Sequence, residues 1–216
     1  MRPLLPVPAD RRPTRAFRLA AGLLLYGFSD GLLVRADVGL DPWDVLHQGL
    51  SRTVGGEVGT WAILVGAVVL LGWIPLRQRP GLGTLCNVVV VGLAINATLA
   101  GIPALHALAL RVPLMLLAVA LNGIATGLYI GAGLGPGPRD GLMTGLAARG
   151  HSVRVVRTAI ELTVLAVGWL LGGGIGLGTV VYALAIGPLA HLTLPLFRLD
   201  REPAEDRPAP DPGLSC

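Results

Sequence analysis

The sequence predicts an all-α membrane protein of about six transmembrane helices, arranged as two inverted three-helix repeats, each with a short Pro-x-Asp helix that is either re-entrant or interfacial. Three observations predict it. The 216 residues are 53% hydrophobic and only 14% charged, and a mean hydropathy of +0.69 is more than a water-soluble core of this size can hide. The apolar residues fall in blocks of roughly 18 to 22, enough helix to cross a hydrocarbon layer of about 30 Å. The second half of the chain also repeats the first.

Six spans are read along the chain, at 17–35, 58–76, 83–101, 111–132, 155–173 and 177–197. The first follows a basic start (Arg2, Arg11, Arg12, Arg15, Arg18) that imitates a signal peptide. No small-x-small cleavage site comes after it, however, and Asp30 interrupts the apolar run, so a retained helix is expected. Residues 1–16 and 199–216 are rich in Pro and charge and read as disordered tails. Between them lies a single transmembrane domain, 17–198, with repeat 1 at 17–101 and repeat 2 at 111–197. The long connections VGLDPWDVLHQGLSR and LGPGPRDGLMTGLAARG are too short to cross, since a dozen helical residues reach about 18 Å. A surface helix and a re-entrant half-helix both fit them.

An offset of 96 residues aligns Gly27 with Gly123, Gly31 with Gly127, Gly39 with Gly135, Pro42 with Pro138 and Asp44 with Asp140. The same offset pairs Gly72-Trp73 with Gly168-Trp169. After a one-residue deletion, Gly81-Leu82-Gly83-Thr84 meets Gly176-Leu177-Gly178-Thr179, Gly92 meets Gly187, and Thr98-Leu99 meets Thr193-Leu194. Three spans per copy is an odd number, so the second copy enters the membrane upside down, the plan of many secondary transporters.

Charge supports that inversion. From Arg35 to Glu57 two arginines face Asp37, Asp41, Asp44 and Glu57, whereas the equivalent stretch of the second copy has Arg139, Arg149, Arg154 and Arg157 against Asp140 alone. By the positive-inside rule the first stretch lies outside and the second inside, with both termini in the cytoplasm. The net charge of +4 is thus a matter of topology, and no nucleic-acid partner is expected. Cys86 and Cys216 are read as free thiols.

Each Pro-x-Asp motif reads as a helix start. Proline suits the first helical position, where its missing N–H has no partner, and an Asp two residues on sits at the positive end of the helix dipole. Asp41 is placed to cap the first of these helices. Asp44 and Asp140 therefore either terminate short helices or belong to helix starts that aim N–H groups at a solute or ion. Arg139, beside Asp140, is suited to an anion or a salt bridge. Pro42, Pro138, Gly39, Gly135, Gly83 and Gly178 are read as the structural frame of these motifs.

Asp30 and Glu161 are the carboxylates deepest in apolar blocks, where an unpartnered charge is costly. Arg157, one turn before Glu161, is placed to pair with it, and Arg35 lies near Asp30. A proton or solute role and a structural ion pair are both open for each carboxylate. Asn87, Asn96, Asn122 and His191 read as interhelical hydrogen-bonding groups. The other histidines, His47, His106 and His151, lie in connections without metal-ligand spacing. Walker lysine, HExxH, nucleophile elbow and paired-cysteine motifs are all missing. No enzyme, metal or cofactor is expected.

The stretches GLDPWDVLHQGLS, GWIPLRQRPGLGT, GLGPGPRDGLMTGL, VRTAIELTVLAVGWLLGG and GLGTVVYALAIGP resemble the bacterial YczE/YyaS/AitT family of multi-pass membrane proteins, similar in style to YitT-type proteins. The resemblance spans about residues 17–195. It implies a bacterial cytoplasmic-membrane protein of uncharacterised activity, with Pro42, Asp44, Gly135, Pro138, Arg139, Asp140, Arg157 and Glu161 as family-like positions. The sequence reads best as a small transporter or channel-like protein for an unknown solute or ion. In that reading Asp44 lies near the outer mouth, Arg139 and Asp140 near the inner one, and Glu161 or Asp30 along the path. The alternative is a non-transporting scaffold or accessory protein for another complex. Beyond the bilayer, a second copy of the chain or another membrane protein remains open as a partner.

Overall fold

A computed structural model describes residues 4–199. They form eight helices: α1 (Arg12–Ala36), α2 (Pro42–Val54), α3 (Val58–Leu76), α4 (Leu82–Gly101), α5 (Leu108–Gly131), α6 (Pro138–Ala147), α7 (Val153–Leu170) and α8 (Leu177–Phe197). The order long, short, long, long thus occurs twice. Five of them, α1, α3, α4, α5 and α8, are long and apolar enough to cross a membrane. The expected span at 155–173 coincides with α7, which has 18 residues but carries Arg154, Arg157 and Glu161.

Helix α1 begins at Arg12, so residues 12–16, expected in the tail, are helical, with proline in the opening turn. Before it, Leu5 donates its backbone N–H to Pro80. Asp10 bonds Arg15 at 2.6 Å, which holds its carboxyl below the usual range. The expected C-terminal tail, apart from Leu199, lies outside the described residues.

The short helices start as their sequences require. Pro42 and Pro138 occupy the first turns, and Asp44 and Asp140 stand beside them. Asp41 caps α2, its Oδ1 accepting from the Asp44 N–H at 2.5 Å. Helices α4 and α8 share another device. In each Gly-x-Gly-Thr sequence the threonine hydroxyl accepts the N–H of the first glycine, Thr84 from Gly81 and Thr179 from Gly176. The second glycine donates to the other half of the chain: Gly83 N–H to Leu134 O at 2.8 Å, and Gly178 N–H to Val38 O at 2.9 Å. Gly39 and Gly135, at φ +127° and +120°, turn the chain at these contacts against Gly176 and Gly81, where a Cβ would lie within 3 Å of backbone.

Matching contacts fix the helix directions. Gly31 of α1 packs on Thr98 of α4, and Gly127 of α5 packs on Thr193 of α8. In each pair residue numbers rise together, as Gly27 against Val91 and Gly123 against Leu189 also show, so the paired helices are parallel. Between α1 and α5 the order reverses, Gly22 lying on Tyr129 while Asp30 bonds Asn122. Each short helix is exchanged, α2 packing on α7 of the other half and α6 on α3. Two apolar clusters fill the interior. One is built on α1, α5 and α8 around Leu33, Met115 and Ile186, the other on α1, α3, α4 and α5 around Leu23, Val91 and Ile95. Leu64, Val68, Leu71, Leu116, Leu184 and Leu196 face outward, as a lipid-facing belt requires.

One end of the bundle gathers the chain's basic turns. There Arg15 reaches Ala132 O, Arg18 reaches Phe197 O and Arg149 reaches Pro75 O, near Arg77 and Arg79. The charge contrast between the two connections needs one correction. Asp41 and Asp44 are buried, at 2% and 0% exposure, and Arg139 bonds Asp41 internally, so none of the three belongs to a solvent-facing loop. What remains is a balanced first connection, Arg35 and Arg52 against Asp37 and Glu57, and a basic second one.

Candidate functional site

The first turns of α2 and α6 meet. Arg139, near the start of α6, donates from Nη1 to Asp41 Oδ2 at 3.0 Å and lies 4.0 Å from Asp44 Oδ1 through Nη2. Its guanidinium also sits 5.1 Å from the ring centroid of Trp43, a cation–π distance. Since Trp43 and Arg139 are equivalent positions of the two motifs, the residue at which they differ is the residue through which they touch.

Behind this junction lies a buried polar cluster. Asp44 Oδ1 is 3.0 Å from His47 Nδ1, one turn along α2. Asp30 Oδ1 accepts from Asn122 Nδ2 at 2.7 Å, and Asn122 Oδ1 accepts from the Tyr182 hydroxyl at 3.1 Å. Asp30, Asp44 and Asn122 are all fully buried. The second carboxylate oxygens of Asp30 and Asp44 are buried and meet no protein donor.

A cavity of about 200 Å³ opens beside the junction. Its polar lining includes Asp41, His47, Arg139, Asp140, Arg157 and Glu161. Tyr26, Tyr129 and Tyr182, all three tyrosines of the chain, line it as well. Tyr129 donates to Asp140 Oδ2 at 3.0 Å and meets Tyr26 edge-on, with ring centroids 5.8 Å apart. Arg157 and Glu161 form the pair their spacing allows, at 2.8 Å.

The cavity lies where the two halves differ. Helix α3 packs on α4, but its counterpart α7 makes no comparable contact with α8. A Cβ on Gly92 would collide with Gly59 O and Ile63, whereas one on the equivalent Gly187 would meet nothing within 4 Å. The equivalent tryptophans divide likewise. Trp73 is buried and donates to Pro138 O at 3.0 Å, while Trp169 is 62% exposed. Arg157 and Glu161, from the first half of α7, and Gly187 and Ala190, from the middle and second half of α8, place the gap toward the basic end.

Arg139, Asp140, Arg157 and Glu161 therefore share one cavity. Asp44 and Arg139, read as belonging to opposite mouths, stand within 4.0 Å of each other. Asp30 lies behind the lining, bonded to Asn122, and Arg35 turns away from it to Leu99 O. His47, read as a connection residue, and the three tyrosines were not marked by the sequence patterns. Their signal was scarcity: a tyrosine in a lipid-facing span has nothing for its hydroxyl, and each of these sits in a long helix. Cys86 is a free thiol; Cys216 lies outside the described residues.

A family of unknown function, DUF6198, matches residues 13–195. An uncharacterised protein of Haemophilus influenzae is 40% identical over 189 residues, 87% of this chain and 87% of the relative. The uncharacterised membrane protein YczE of Bacillus subtilis is 37% identical over 179 residues, 81% and 83% of the two chains. YyaS of the same organism is 27% identical over 182 residues, 81% and 90%. No solved structure matches the chain.

Proposed function

The chain belongs to this family of membrane proteins, and we propose that it is a small inverted-repeat transporter whose halves form one pathway through the bilayer. The observation that carries this reading is the cavity at the meeting of the two short-helix starts, in the gap that separates α7 from α8 but not α3 from α4. Sequence-related halves in unequal conformations are what alternating access uses, because exchanging the two conformations yields a second state of similar energy. In the exchanged state α7 closes on α8 around Gly187 while α3 leaves α4 at Gly92, and the cavity then faces the opposite end.

The antiparallel course of α1 and α5 supports the inversion. In this reading α7, with Arg157 and Glu161 on the cavity, is the sixth span, and α2 and α6 are re-entrant. The basic end faces the cytoplasm of a bacterial inner membrane, with both termini there. No chemical transformation is assigned to the protein. Its residues bind, release and reorient.

Proteoliposomes loaded with a bacterial small-molecule extract test the reading, with release followed by mass spectrometry. At least one solute is expected to leave faster than from empty vesicles, and Glu161→Gln is expected to change its rate. Release identical to that of empty vesicles for every solute would favour the scaffold reading instead.

A further inference from the structure

We propose that Asp30 and Asp44 form a proton-binding site, the coupling site of the transport cycle, with Arg139 as its exchangeable counter-charge. The proposal rests on the transport reading and names the coupling ion. Its geometry is a buried surplus of carboxylates. Asp41, Asp44 and Asp30 are each no more than 2% exposed; Asp41 takes the Asp44 N–H, and Asp30 is tied through Asn122 to Tyr182, which lines the same cavity as Asp41. Arg139 is the guanidinium that reaches Asp41 and Asp44, while Asp30 accepts from the Asn122 amide. A charged His47 would still leave the cluster one positive charge short, and a neutral His47 would leave it two short. Buried charge of one sign is not tolerated without a counter-ion or a proton.

The two oxygens without a protein donor, Asp30 Oδ2 and Asp44 Oδ2, are where a proton removes the conflict. Adding it converts a carboxylate to a carboxylic acid, cancels one negative charge and turns a starved acceptor into a donor. Among the described residues no group of three or more His, Cys, Asp or Glu is placed to share a metal ion, so the donor set favours a proton over a metal cation.

The surroundings of the site are largely accounted for. From α5 come Asn122, bonded to Asp30, and Tyr129, bonded to Asp140; from α8 comes Tyr182, bonded to Asn122. Helix α1 adds Tyr26, which lines the cavity, and Arg35, which bonds Leu99 O. Helix α7, packed on α2, brings exposed Arg154 and an Arg157 already paired with Glu161. Neither α3 nor α4 carries a charged residue. A proton on Asp44 also removes one of the two carboxylates that hold Arg139, and so loosens the tie between α2 and α6. Proton occupancy is thereby linked to the junction that a change of access must rearrange.

Infrared difference spectroscopy of the full chain in lipid nanodiscs tests the site by its carboxylic-acid C=O band. The wild type is expected to show the band at neutral pH and lose it as pH rises, with isotope-labelled aspartate shifting it. Asp30→Asn or Asp44→Asn is expected to remove it, while Asp37→Asn, on an exposed pair with Arg111, keeps it. The labelled wild type decides the question even if a variant fails to fold. No aspartate band at any pH, a band unchanged in both variants, or a band abolished by sodium at constant pH would each overturn the proposal. The band reports proton occupancy without transport. Its absence would leave the transport reading standing, and its presence without solute release would leave a proton site in a protein that does not transport.

Discussion

Arg139 on α6 donates to Asp41 on α2 at 3.0 Å, so the starts of the two short helices are held together by one ion pair contributed from both halves. Asp41 is simultaneously the cap of α2. Removing Arg139 leaves a buried carboxylate facing Asp44. Arg139→Gln is therefore expected to cost about 3 kcal/mol, within the range for breaking a buried pair. Arg139→Gln combined with Asp41→Asn is expected to recover part of that loss. Thermal unfolding in detergent measures both. A single variant as stable as the wild type would show that the tie carries no energy.

Gly39 and Gly135 are expected to be intolerant of side chains for two reasons at once. Their φ angles lie in the glycine region, and a Cβ would fall within 3 Å of the other half's backbone. Gly150, at φ +102°, has the first handicap but nothing within 4 Å. Gly150→Ala should lose roughly 1 to 3 kcal/mol from conformation alone. Gly39→Ala and Gly135→Ala should lose more than that. Equal losses at the three sites, read from unfolding midpoints, would remove the close approach from the account.

Thr53 and Arg149 occupy equivalent positions in the two halves, and both are exposed. In a protein lacking Cys86 and Cys216, Thr53→Cys should react with a membrane-impermeant thiol reagent only from outside the cell, and Arg149→Cys only from the cytoplasmic side. Labelling of both from one side would rule out the inversion.

The Arg157–Glu161 pair is partly exposed, with side chains at 49% and 29%. Its stabilising effect is that of a single helical pair, about 0.5 kcal/mol. Glu161→Gln is expected to leave the unfolding midpoint almost unmoved while altering solute release. A large loss of stability would make the pair structural.

The scaffold was legible because its demands fall on particular residue types. The Gly-x-Gly-Thr repeat encodes a threonine that returns to its own cap and a glycine N–H offered to the other half. The Gly39/Gly135 repeat encodes two turns that only glycine makes comfortably. The centre was less legible, because chemistry there comes from positions at which the halves differ. Trp43 meets Arg139, and Asp30 answers to Thr126 in the alignment. Burial was the main hidden variable: Asp41 and Asp44 looked like loop acids and are interior ones. Nor can a repeat reveal that its copies differ in conformation, as Trp73 inside and Trp169 outside demonstrate.

The exchange of conformations between the halves is tested most directly by paired cysteines. A Cβ on Gly66 would lie 3.7 Å from that of Val88, a disulfide spacing, and Leu162 and Ala183 are their equivalents across the open gap. In a background without the native cysteines, Gly66→Cys/Val88→Cys and Leu162→Cys/Ala183→Cys should both form disulfides in membranes. The first should form fast and the second slowly, each trapping one of two states. A 162–183 pair that never cross-links, while 66–88 does so completely, would mean that α7 does not close on α8 and that the halves do not exchange.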